Sequence, residues 1–259
     1  MAVAALVDLA ARRNASCNLV GFPYAGGGPG LYRSWVAHLP PWVGVFAAHL
    51  AGREGRFDRE PISDLPTQVA ELTEAVRPLL DRPLVLYGHS LGATLAAHVA
   101  QELFPHATKP AALIVGARSA PWAVPCPQES MIRSETASDT ELLRFFQDIG
   151  GVDEDVLANK ELLDVLMPAL RADAVLSQAP QYLGVGAVDT PVYAVFGDGD
   201  DLVPPDSVRA WERFSTGPFQ ARSVRGDHFF VRGNPSLITD VVLPAVVSTT
   251  RSRRTARSR

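Results

Sequence analysis

Gly88-His89-Ser90-Leu91-Gly92 fits the pattern G-x-S-x-G. A serine at a tight turn from strand into helix has its hydroxyl pushed out above the sheet edge, where it is placed to act as a nucleophile. The flanking glycines leave room where side chains would collide with the adjoining strand or helix. The helix that follows aims its positive N-terminal end at any anion formed beside the serine. A serine hydroxyl is a weak nucleophile at neutral pH and needs a base, normally an imidazole oriented by a carboxylate. The motif therefore points to a nucleophilic hydrolase or acyltransferase.

On such a turn the chain order is serine, acid, histidine. Of six histidines, only His228, in R-G-D-H-F-F, follows both the serine and the last acid-bearing turn. His38, His98 and His106 fall on helix or helix-end positions and His49 ends a strand, so these read as surface or packing residues. His89 reads as a pocket-lining residue whose place beside Ser90 bars it from acting as the base. The strand at 111–116 runs into A-R-S-A-P-W-A-V-P-C-P, without a carboxylate before Glu129. The strand at 191–196 ends in G-D-G-D-D-L-V-P and offers Asp198, Asp200 and Asp201. The spacing Gly197–Asp200–Val203 puts Asp200 in the turn facing the histidine loop, leaving Asp198 and Asp201 to cap or solvate it. The same stretch lacks the alternating ligands and closing glutamate of a calcium loop, and no metal is expected.

A tetrahedral intermediate needs donors for its oxyanion. One expected donor is the backbone N–H of Leu91. The other comes from F-P-Y-A-G-G-G-P-G after the first strand of the core, with Tyr24 or Ala25 as the source and Ala25 preferred. That loop matches neither G-x-G-x-x-G nor a P-loop, so no nucleotide cofactor is expected.

These residues must be held at one edge of a sheet. Strand-like runs recur at 17–23, 43–49, 83–87, 111–116, 191–196 and 219–224, with helical patterns at about 31–39, 66–80, 92–104, 206–214 and 235–247. Short apolar strands alternating with amphipathic helices predict an α/β protein with a mostly parallel sheet flanked by helices. Roughly 70 residues separate Arg118 from Thr190, where a simple crossover needs far fewer. This insertion, about 119–189, carries helical patterns at 138–149 and 160–178 and reads as a lid. Ser138 with Glu141 makes a capping box at the first of them.

The 259 residues suffice for one large domain. Residues 1–15 read as a flexible leader, 16–248 as a single hydrolase domain and 249–259, with five arginines in the last nine positions, as a disordered basic tail. The leader lacks a basic region ahead of its apolar run, which argues against a secretory signal, and it is too short to span a bilayer. A net charge of −4 gives no argument for nucleic acid or an anionic membrane. Cys17 and Cys126 define no disulfide framework, and Cys17 reads as a buried thiol in a reducing, cytoplasmic compartment.

F-P-Y-A-G-G near the start, G-R-E-G-R-F at 52–57, G-H-S-L-G-A at 88–93, L-R-A-D at 170–173 and G-D-H-F-F at 226–230 stand in register. Together they resemble the type II thioesterases, stand-alone α/β-hydrolases that accompany polyketide synthases and non-ribosomal peptide synthetases. The resemblance spans roughly residues 16–245. It implies hydrolysis of stalled or mis-primed acyl thioesters on the phosphopantetheine arm of acyl or peptidyl carrier proteins, with Ser90, Asp200 and His228 as the triad. It implies no cofactor besides the substrate's own arm, and a monomer is the expectation. Tyr24 stands where many members have histidine, Leu91 where methionine is common and Asp201 where proline often follows the acid. A medium-chain fatty-acyl thioesterase and a small-molecule carboxylesterase share the triad and remain the alternatives. The arginine-rich tail could speed encounter with an acidic carrier protein.

Overall fold

The computed structural model describes residues 4–104, 109–123, 136–152, 156, 159–179 and 183–249. His106, Cys126, Glu129 and the arginine tail beyond Thr249 lie outside the described residues.

Among the described residues seven strands form one sheet: β1 (Leu6–Asp8), β2 (Cys17–Phe22), β3 (Val43–Ala48), β4 (Leu84–His89), β5 (Ala112–Gly116), β6 (Val192–Gly197) and β7 (Phe219–Val224). Their spatial order is β1-β3-β2-β4-β5-β6-β7, and every pair is parallel except β1 with β3. Strands β2, β4 and β5 are buried at every residue. That explains why they read as continuous apolar runs: in a parallel sheet covered on both faces, neither side can be polar.

Two cores result. On one face α2 (Leu65–Val76) and α3 (Leu91–Leu103) pack with Leu72, Leu95, Trp211 and Phe214. On the other, α1 (Trp35–His38) and the helical segment 235–249 contribute Trp35, Leu237, Val241 and Ala245. Each fully buried leucine or valine stabilises the fold by about 2 kcal/mol. Helix α3 is buried almost all round, Thr94 and His98 included, and only Gln101 and Glu102 near its end reach the surface. Its axis, and with it the serine at its start, is thereby fixed from all sides.

Three helical patterns end differently from expectation. The 66–80 pattern is α-helical only to Val76 and continues as a 3₁₀ turn over Arg77–Asp81, because Pro78 has no N–H for the α ladder. The 206–214 pattern likewise tightens after Arg209 into a 3₁₀ turn, Ala210–Phe214. The 31–39 pattern divides into a 3₁₀ turn, Pro29–Tyr32, and α1.

The leader is corrected more substantially. Described residues 4–15 are tied down rather than loose: β1 runs antiparallel along β3, with Leu6 opposite Ala48 and Asp8 opposite Phe46. The Arg12 guanidinium donates to the carbonyls of Val36 (2.7 Å), Pro40 (2.8 Å) and Val43 (2.9 Å). A three-residue strand is too short to show alternation, so composition alone made it look like a free end.

Within the insertion, α4 (Asp139–Asp148) begins with the reciprocal Ser138–Glu141 capping box, and α5 (Lys160–Gln178) starts at an Asn159 cap. Leu142 and Phe146 of α4 pack on Met167, Leu170 and Ala174 of α5, with Ala25 against the same cluster. The insertion therefore rests over the loop that follows β2.

Candidate active site

Ser90, Asp200, His228 and Ala25 come from loops at the carboxyl ends of β4, β6, β7 and β2, the edge where open parallel sheets gather functional groups. Ser90 has φ 52° and ψ −118°. A non-glycine residue held there stores about 1–3 kcal/mol of strain, and the surrounding contacts over-determine it. A Cβ on Gly88 would lie 2.1 Å from the Gly92 carbonyl oxygen, and one on Gly92 would lie 2.0 Å from that of Phe22. Only glycines let the strand, the helix start and the end of β2 meet this closely. The same contact brings the N-terminus of α3 beside the loop bearing Ala25.

The three side chains expected to react form one hydrogen-bonded line. His228 Nε2 is 3.2 Å from Ser90 Oγ, and His228 Nδ1 is 3.0 Å from Asp200 Oδ2. The other oxygen of Asp200 accepts the N–H groups of Leu202 (2.9 Å) and Val203 (3.1 Å). Burial of its side chain pushes the carboxyl pKa up, but the hydrogen bond and charge of His228, with the two N–H groups, outweigh this and hold it below the usual carboxylate range. A carboxylate that stays ionised fixes the His228 proton on Nδ1 and leaves Nε2 free to accept from the serine.

The neighbouring acids take other work. Asp198 accepts the Gly226 N–H (2.9 Å), tying the end of β6 to the histidine loop, and Asp227 caps Phe229 N–H (2.8 Å). Asp201 is exposed. Leu91 is the first residue of α3, so its N–H has no carbonyl within the helix. Among the described residues Ala25 N–H likewise makes no hydrogen bond within the protein.

His89 departs from expectation. It is completely buried, with no surface open to solvent. Its Nε2 lies 2.7 Å from the His228 carbonyl oxygen, which can only accept, so Nε2 carries the proton. Nδ1, 3.0 Å from the Tyr87 hydroxyl, is then the acceptor. Burial, with the nearby His228, lowers the His89 pKa to about 3. His89 is thus a neutral strut beneath the His228 loop, a role that its place in G-x-S-x-G does not disclose. His38 is exposed and His49 and His98 are buried away from the triad, as expected.

Tyr24 closes one side of the site. Its hydroxyl accepts from Arg232 Nε (2.8 Å), while Arg232 donates to the Gly150 carbonyl (3.1 Å) and covers the Phe229 ring at 4.4 Å. The departure at Tyr24 thereby joins the loop after β2, the histidine loop and the insertion. A cavity of about 170 Å³ lies behind it, lined by Tyr24, Gly26, Arg53, Leu166, Leu170 and Arg232 among others.

Residues 18–243 match the family model described as Thioesterase domain. The linear gramicidin dehydrogenase LgrE of Brevibacillus parabrevis is 31% identical over 228 residues, covering 86% of this chain and 85% of LgrE. Among solved structures, RedJ, the thioesterase from the prodiginine biosynthetic pathway in Streptomyces coelicolor, is 30% identical, with a TM-score of 0.79 over 92% of either chain. YbtT, a type II thioesterase from the yersiniabactin NRPS/PKS biosynthetic pathway, is 26% identical, with a TM-score of 0.81 over 94% of this chain and all of YbtT.

Proposed function

The chain belongs to the thioesterase family, and we propose that it removes stalled or aberrant acyl groups from the phosphopantetheine arms of acyl or peptidyl carrier proteins in polyketide or non-ribosomal peptide synthesis. The observation that carries the reading is the line Ser90 Oγ–His228 Nε2–Asp200 at 3.2 and 3.0 Å, with the insertion packed against Ala25 of the loop after β2. Ser90 is the nucleophile. As its oxygen attacks the thioester carbonyl, the hydroxyl proton passes to His228 Nε2, and Asp200 stabilises the imidazolium. The C–S bond breaks, the thiol leaves with that proton, and an acyl-enzyme remains. Water then gives a proton to His228 and attacks the ester, and the carboxylic acid departs as Ser90 regains its hydrogen.

Ala25 and Leu91 N–H hold the oxyanion in both steps, each at about 3 kcal/mol of barrier if lost. The three side chains and two N–H groups supply all the chemistry, without a cofactor. The work is assigned to the cytoplasm, where carrier proteins are loaded. LgrE carries a dehydrogenase name, but F-P-Y-A-G-G-G-P-G here is not a dinucleotide loop.

Ser90→Ala should fold as the parent and release no acid from acyl-loaded carrier protein, read by mass spectrometry. Full turnover in that variant refutes the mechanism. Faster hydrolysis of nitrophenyl esters than of carrier thioesters by the parent refutes the substrate.

A further inference from the structure

Two motifs, G-R-E-G-R-F and L-R-A-D, take no part in the triad, yet they meet in the most buried ion pair among the described residues. Arg53 and Asp173 side chains are 5% and 1% exposed. Arg53 Nη1 donates to Asp173 Oδ2 (2.6 Å) and Nη2 to Oδ1 (2.8 Å). The same Oδ2 accepts the backbone N–H of Gly26 (2.7 Å), and Nη1 also reaches the Gly27 carbonyl (3.1 Å). One carboxylate on α5 and one guanidinium after β3 thus grip the donor and the acceptor of the loop that carries Ala25.

Gly26 sits at φ +81°, and a Cβ there would lie 2.8 Å from Leu170 Cδ2. The loop therefore turns at Gly26 through the left-handed region, with its N–H directed at Asp173. A buried ion pair is weak evidence of stabilisation, since apolar replacements of equal volume often do as well. What it provides here is direction, because a bidentate fork fixes the plane of the groups it holds.

We infer that Asp173 and Arg53 are positioning residues for the oxyanion hole: they orient the peptide next to Ala25 so that the Ala25 N–H meets the oxygen of the tetrahedral intermediate. This rests on the reading of Ala25 as an oxyanion donor. It also divides the insertion, because the part of α5 around Asp173 belongs to the catalytic frame and does not lift with a moving cover.

The test compares Asp173→Asn with the paired variant Arg53→Met, Asp173→Leu, which removes both charges together and keeps the fold if the single variant does not. The substrate is an acetyl thioester of N-acetylcysteamine, and the transition-state probe is phenylboronic acid, which becomes tetrahedral on Ser90. A positioning role lowers kcat between about 10- and 100-fold, the upper figure matching loss of a whole oxyanion donor. KM stays within threefold, and boronic acid inhibition weakens in step with kcat. An unchanged kcat in a folded variant overturns the proposal, as does a loss confined to KM, which marks a pocket wall. Failure of both variants to fold also overturns it, since the pair then serves stability. Ser90→Ala run alongside separates the two levels: if it stays active the triad reading itself falls, and if it is dead while the pair variants are unaffected only the positioning role falls.

Discussion

Replacing Asp200 by asparagine leaves the amide no choice of orientation. One oxygen of Asp200 accepts two backbone N–H groups, from Leu202 at 2.9 Å and Val203 at 3.1 Å, while the other faces His228 Nδ1 at 3.0 Å. An NH₂ group cannot point at two N–H donors, so the asparagine oxygen must stay with the backbone and the NH₂ must face the imidazole. His228 Nδ1 then becomes an acceptor and the ring proton moves to Nε2, 3.2 Å from Ser90 Oγ. The base presents a proton to the hydroxyl it has to deprotonate. The same exchange in serine proteases lowers kcat about 10⁴-fold, equivalent to about 5.4 kcal/mol of barrier. The cost in stability is far smaller, about 1.5–3 kcal/mol for one charge-assisted hydrogen bond. Steady-state hydrolysis of an acyl thioester, followed by the released thiol, with a denaturation curve of the same sample, separates the two effects. A folded Asp200→Asn enzyme within tenfold of the parent kcat would refute the tautomer argument.

Gly92→Ala should cost on the order of 4 kcal/mol and leave no activity, because its Cβ meets backbone, at the Phe22 carbonyl, and no rotamer change relieves the clash; urea unfolding measures it, and a loss under 1 kcal/mol contradicts the close approach. Stability should also fall in acid. His89 and His98 have pKa values lowered to about 3 and about 4 by burial, so below the ordinary value of 6.5 the unfolded chain takes up protons that the folded one refuses. Each histidine then removes about 1.4 kcal/mol per pH unit until its folded value is reached. Asp200, depressed in the fold, adds to the loss in the same direction as pH falls through its folded value. His98→Leu, which drops a buried ring whose Nε2 has no partner among the described residues, should flatten the slope between pH 6.5 and 5 by one proton's worth; an unchanged slope would contradict the burial argument.

The elements around Ser90 were legible because their signals are local: an apolar run, two glycines and an Ala-rich helix follow each other within one stretch of chain. His228 could be reached by chain order, and Asp200 by the emptiness of the turn after β5 together with spacing. What could not be read is pairing across the fold. Arg53 and Asp173 each stand in the sequence as one letter of a family motif, and only the arrangement of β2, β3 and α5 brings them onto one loop. The role of His89 escapes the sequence for a related reason, since which way its ring turns depends on Tyr87 and on the His228 carbonyl, 139 residues away. The bend of α2 into a 3₁₀ turn at Pro78 was readable in principle, because a proline lacks the donor an α-helix needs.

The short strand at the start of the chain has a bearing on solubility. β3, V-G-V-F-A-A, would otherwise be the outer strand of the sheet, apolar and almost wholly buried along its length. An uncovered strand of that kind offers a row of free N–H and C=O groups to any neighbouring molecule, and such edges seed sheet-to-sheet association. The opposite margin, β7, is guarded by its own side chains, with Arg222 exposed in mid-strand. On the β3 side the guard is β1, clamped by Arg12. Trimming the first dozen residues as a dispensable leader would leave the triad untouched and turn a discrete enzyme into a template for its own aggregation.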